Sequence, residues 1–157
     1  MNIKLIAIGK TDNKNMQALI TDYTKRLGFY IKFEFEVIPD LRKVKNLSET
    51  QQKEKEGELI LAKTQTSDVL IVLDENGKQT DSVAFSNYLQ KHMNSGIKTL
   101  IFIIGGPYGF SDAVYSRANG KLSLSKMTFS HQMVRLFFIE QLYRGFTILR
   151  NEPYHHR

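Results

Sequence analysis

Short apolar runs alternate along the chain with longer segments whose apolar residues return every three or four positions. This is the pattern of strands interleaved with amphipathic helices. Residues 2–8 (NIKLIAI) predict a strand that stops at Gly9. Over 13–27, Met16, Leu19, Ile20, Tyr23 and Leu27 recur at helical spacing, and Gly28 stops the helix. Residues 31–38 (IKFEFEVI) alternate apolar and charged positions, so the strand they predict has one wet and one packed face, ended by Pro39. A basic loop over 41–47 leads to Ser48, which with Gln51 predicts a capping box for a helix running to about Lys63. In that helix the first half reads as solvated, and only Leu59, Ile60 and Ala62 as buried.

Two later runs, DVLIVLD (68–74) and KTLIFIIGG (98–106), are apolar throughout, as strands covered on both faces are. The first is followed by an ENGK turn (75–78) and a helix over 81–94. A short helix over 111–117, a short strand over 121–124 and a final helix over 130–148 complete the pattern. With no internal repeat and no linker, residues 1–157 read as one α/β domain with a mainly parallel sheet. Ligands of such sheets bind beyond the carboxyl ends of the strands. The candidate loops are therefore 73–77, 105–109 and 125–129.

The glycine loop IIGGPYG (103–109) is neither the dinucleotide fingerprint nor a P-loop, because no Gly-Lys-Ser/Thr follows it. It reads equally as a turn or a ligand loop. Residues 122–146 say more. Ser125, Lys126, Met127 and Thr128 offer hydroxyls, backbone donors and one cation directly before a helix that Ser130 caps. That helix is apolar nearly all round, which predicts one face on the core and another on a second subunit. Within it, Arg135, Glu140 and Arg144 need partners or solvent. His131 opens the helix, and its simplest role there is structural. The tail NEPYHHR carries groups suited to stacking on bases and bonding phosphates. Asp74 and Glu75, at a strand end, suit a ribose or a general base. No metal-ligand spacing occurs, so no metal site is expected.

Composition narrows the classes. A chain of 157 residues with 41% hydrophobic content is not a disordered one. Without cysteine, it has no disulfide framework, thiolate metal site or Cys nucleophile. The first apolar run is too short for a signal-peptide core, and none approaches a membrane span, which predicts a cytoplasmic protein away from membranes. The net charge of +6 is unevenly spread: residues 1–116 carry 15 Lys/Arg against 14 Asp/Glu, residues 117–157 seven against two. A basic, arginine-rich last quarter points to a polyanionic partner.

Several segments together, MNIKLIAIGK, YTKRLGFY, KEKEGELILAK, the Leu-Asp-Glu-Asn-Gly-Lys turn, IIGGPYG, LSLSKMTFSHQMVRLFFIEQLYRGF and the ending PYHHR, resemble the RlmH family. These are small SPOUT-class methyltransferases that modify N3 of a pseudouridine in large-subunit ribosomal RNA. The resemblance spans essentially the whole chain. It implies a SPOUT-type α/β sandwich with a C-terminal trefoil knot, a homodimer and S-adenosylmethionine as cofactor. One compact domain without a separate RNA-binding module has a small footprint, which favours the assembled ribosome as substrate, where shape supplements sequence. Matching positions place cofactor contacts at Leu73, Gly105, Leu124, Ser125, Lys126, Met127, Thr128 and Phe129. For the methyl transfer so implied, His155 or His131 is the candidate base. Arg135 and Arg144 are candidates for phosphate or anion stabilisation, and Tyr154 for stacking on or bonding the target base. The family's single His after the tail Tyr appears here as His155-His156, which leaves open which one matches. A non-enzymatic ribosome-binding or RNA-binding factor would explain the charge equally well, but not a glycine loop and a Ser-Lys-Met-Thr loop both at strand ends, and it should bind no cofactor.

Overall fold

The computed structural model describes residues 1–41 and 46–156. Its strands are β1 (Asn2–Ile8), β2 (Lys32–Ile38), β3 (Val69–Gln79), β4 (Thr99–Ile104) and β5 (Gly120–Ser123). Its helices are α1 (Lys14–Leu27), α2 (Glu49–Leu61), α3 (Ser82–Asn94), α4 (Asp112–Arg117) and α5 (His131–Leu149). The strands form one sheet, order β2-β1-β4-β3-β5, with every pairing parallel. The predicted α/β class and parallel sheet are thus observed. Of the predicted basic loop, residues 42–45 lie outside the described residues.

Successive strand residues point to opposite faces, and both faces of this sheet are packed. Ile3, Leu5 and Ala7 of β1 and Leu100 and Phe102 of β4 share a core with Ile20, Leu89, Phe138 and Leu142, so α1, α3 and α5 cover one side. Ile6 and Ile8, with Ile101 and Ile103, meet Ile60, Phe110 and Val114 of α2 and the α4 region on the other. Burial on both faces accounts for the uninterrupted apolar runs of β3 and β4. The predicted caps form. Ser48 and Gln51 close a reciprocal capping box, and the Ser130 hydroxyl accepts the Met133 amide at 3.3 Å.

Three expectations need correction. Leu19 is exposed although it shares the helical repeat of the buried Ile20 and Leu27. On α2, Leu59 is 39% exposed and Ala62 is exposed, whereas Gln52, Glu56 and Gly57 are buried beside Ile60. The charged-looking face docks because Gly57 admits Ser111 and because Gln52 donates to Glu56 at 2.9 Å. The ENGK segment is not a free turn. β3 runs through it to Gln79, and Leu122 of β5 pairs with both Leu73 and Lys78. Residues 74–77 therefore leave the ladder and rejoin it, a bulge that leaves Glu75 and Asn76 exposed and Asp74 half-buried.

Candidate active site

The bulge within β3 and the loops beyond β4 and β5 converge on one cavity of about 770 Å³. Leu73, Gly105, Leu124, Ser125, Met127, Thr128, Phe129 and His131 line it, so the three loops marked from strand ends meet there. Lys126 is exposed and lies outside this lining. The 125–127 turn is held locally: Ser123 donates to the Ser125 carbonyl at 3.0 Å, and Ser125 Oγ accepts the Met127 amide at 2.9 Å.

Asp74 and Glu75, the strand-end carboxylates, stand in this lining, whereas sequence reasoning missed Tyr115 and Glu56. Asp74 accepts from the Asn76 amide at 2.8 Å and from the Tyr115 hydroxyl, which fixes its carboxylate at the cavity wall. Burial and this bond push the Tyr115 phenol up to about 12, so it remains a donor at neutral pH. Behind the glycine loop, Glu56 is 2% exposed, and its Oε2 stands 2.3 Å from where a β-carbon on Gly106 would be. A side chain at position 106 would have to push the buried Glu56 carboxylate aside. No motif in the sequence announces the approach of Tyr115 to Asp74 or of Glu56 to Gly106, since each joins residues distant in the chain. The lining includes Asp74 and Glu75 but no lysine or arginine among its described residues. In a chain of net charge +6, that marks the cavity as a place for a neutral or cationic group rather than a phosphate.

The other predicted residues lie elsewhere. Arg135 is 1% exposed; it donates to the Ile8 carbonyl at 2.7 Å and to the Thr11 hydroxyl at 2.9 Å. Burial lowers its pKa, opposed by Asp12. It ties α5 to the end of β1. Arg135→Ala should cost about 3 kcal/mol, from lost packing and an unpaired carbonyl, read as a shift in the urea midpoint. Unchanged stability with lost activity would make it a substrate contact instead.

Arg144, Tyr154 and His155 form a second group. Glu140 Oε1 accepts from Arg144 Nε at 3.0 Å and from the Tyr154 hydroxyl at 2.9 Å. The Arg144 guanidinium lies 4.6 Å over the Tyr154 ring, with Nη1 3.5 Å from His155 Nδ1. Tyr23 of α1 shares a 3.1 Å hydroxyl contact with Tyr154. Burial, then the bonds to Tyr23 and Glu140, hold the Tyr154 phenol well above its ordinary range. Glu140 and Arg144, four apart on a helix, were the one pair that spacing could have disclosed. This group sits about 20 Å from His131, judged by the rise of α5 between them.

A family model described as "Predicted SPOUT methyltransferase" matches residues 1–155. The chain belongs to the SPOUT methyltransferase family. Among its SPOUT relatives, the protein named ribosomal RNA large subunit methyltransferase H from Flavobacterium psychrophilum is 78% identical over 157 residues, 100% of both chains. The protein of the same name from Flavobacterium johnsoniae is 76% identical, again over 100% of both chains. A more distant solved structure, the SpoU methyltransferase AviRb from Streptomyces viridochromogenes in complex with AdoMet, is 14% identical with a TM-score of 0.44. The match covers 91% of this chain and 57% of that one.

Proposed function

We propose that this chain methylates N3 of a pseudouridine in large-subunit ribosomal RNA, with S-adenosylmethionine as donor, as a cytoplasmic homodimer acting on the assembled ribosome. A carboxyl-terminal trefoil knot belongs to the same reading. The observation that carries it is the meeting of the β3 bulge with the loops after β4 and β5 on one cavity, in a chain whose full-length relatives are named ribosomal RNA large subunit methyltransferase H.

The cavity suits the donor. Leu73, Ile104 and Leu124 offer apolar walls for an adenine, and the Asp74 and Glu75 carboxylates favour a positively charged sulfonium. When bound, S-adenosylmethionine supplies an electrophilic methyl group. The chain's task is then alignment, because in-line displacement is accelerated chiefly by holding donor and acceptor in reach. Leu73, Gly105 and residues 124–129 other than Lys126 hold the donor. Arg144, fixed by Glu140, grips phosphate or stabilises the deprotonated imino group, and Tyr154 donates to or stacks on the base. His155 or His131 takes the N3 proton.

The cavity and the Arg144–Tyr154–His155 group occupy opposite ends of α5, so one chain does not bring them together. A two-fold pair with α5 helices opposed does. The exposed Met133 and Phe137 of α5, with Phe129 packed 5.3 Å from the Phe137 ring, supply an apolar face for it.

Calorimetry with S-adenosylmethionine should show saturable binding; none at millimolar ligand defeats the donor assignment. Ending the chain after Pro153 should spare that binding and abolish methylation of ribosomes, read by mass spectrometry of the RNA. Retained methylation would remove the tail from the reaction. Light scattering should give about twice 18.1 kDa.

A further inference from the structure

Phe29, at the corner between α1 and β2, is 83% exposed, the most exposed large hydrophobic side chain among the described residues. It is not on a loose segment. Its amide donates to the Arg26 carbonyl at 3.2 Å, and the next amide, of Tyr30, donates to Leu27 at 3.0 Å. Tyr30, next in the chain, and Tyr23 of α1 each carry a guanidinium: Arg26 lies 5.5 Å over Tyr23, and Arg150 4.8 Å over Tyr30. Both tyrosines are bonded to the tail, Tyr23 to the Tyr154 hydroxyl and Tyr30 to the Glu152 carboxylate. The nearby acids are engaged, Asp22 by Arg26 at 2.9 Å and Glu152 by Tyr30. The corner that carries Phe29 is thus tied to the tail through Tyr23 and Tyr30, each with a guanidinium over its ring.

We infer that this corner is a stacking platform for a single-stranded segment of the RNA substrate, with Phe29 stacking on an unpaired base and Arg26 and Arg150 facing its phosphates. The inference rests on the proposed reaction and extends the RNA interface beyond the tail. Ring faces interleaved with cations match an RNA strand, since every base offers a π-face and every link a phosphate. An apolar protein partner would instead want neighbours unlike Lys25, Arg26 and Arg150.

The test compares Phe29→Ala, Phe29→Tyr and Phe29→Leu in binding to ribosomes from a strain lacking the methylation, by filter retention, and in methylation kinetics. Phe29→Ala should weaken ribosome binding and raise KM for ribosomes about tenfold. Its kcat, its S-adenosylmethionine affinity and its mass in light scattering should stay as in the unaltered protein. Phe29→Tyr should restore binding and Phe29→Leu should not, because stacking needs a ring. Unchanged ribosome binding, equal rescue by leucine (a protein contact), or a loss of dimer mass (a subunit contact) overturns the platform. Failure of the unaltered protein to bind S-adenosylmethionine strikes at the enzyme reading instead, and the ribosome-binding comparison still decides the platform.

Discussion

Gly77→Ala should destabilise the protein by about 3 kcal/mol and weaken S-adenosylmethionine binding at least tenfold, on the order of what overpacking a rigid contact costs. A β-carbon at position 77 would lie 2.5 Å from the carbonyl carbon of Leu122, 2.7 Å from its nitrogen and 2.8 Å from the nitrogen of Ser123. All three are backbone atoms of β5, so no side-chain rotation relieves the clash. Either β3 or β5 must shift. Residues 74–77 leave and rejoin the ladder here, with Leu122 pairing on both sides of the excursion. Moving β5 displaces residues 124–129, which follow it directly into the cavity. Stability and donor affinity should fall together, the first read from urea unfolding and the second from calorimetry. A variant within 0.5 kcal/mol of the parent, a margin typical of unconstrained surface sites, would mean that β3 and β5 do not approach as described.

That position also shows where sequence reasoning stopped. Asn76-Gly77 between polar residues carries the chemistry of a turn, and the segment does leave the ladder. What local chemistry cannot say is that the chain returns to the same partner residue. The glycine serves a neighbouring strand rather than its own dihedral angles. The same limit hid α2. Counting charges in ETQQKEKEGE predicts a wet face, yet Gln52 and Glu56 are buried because Gly106, some fifty positions on, leaves room for a carboxylate. Elements with strong periodicity, by contrast, were legible: the double-sided burial of β3 and β4, the caps at Ser48 and Ser130, and the meeting of segments 73–77, 105–109 and 125–129 on one cavity, although the first lies within β3. Those features depend on spacing and on the geometry of parallel sheets, both of which the chain states locally. The contact of Tyr23 with Tyr154 joins residues 131 apart and needed the fold to appear.

Mixing two inactive variants should restore activity. In Thr128→Trp, a bulky ring on an exposed residue of the cavity lining should fill the donor space without disturbing the core. The chain ending after Pro153 keeps the cavity and lacks Tyr154 and His155. Each homodimer has two defective sites. If every site joins one chain's cavity to the other chain's tail, a heterodimer holds one site with both defects and one with neither. Random pairing of equal amounts makes half the dimers mixed, so about a quarter of all sites are intact. Co-expressed and purified through separate tags, the heterodimer should therefore methylate at about half the parent rate per dimer. If cavity and tail of the same chain worked together, each site of the heterodimer would carry one defect and the mixture would stay silent. The distance along α5 between His131 and Arg144 makes the first outcome the expected one. Silence, with dimer formation confirmed by light scattering, would require the tail to fold back across its own chain and would remove the reason for pairing the subunits.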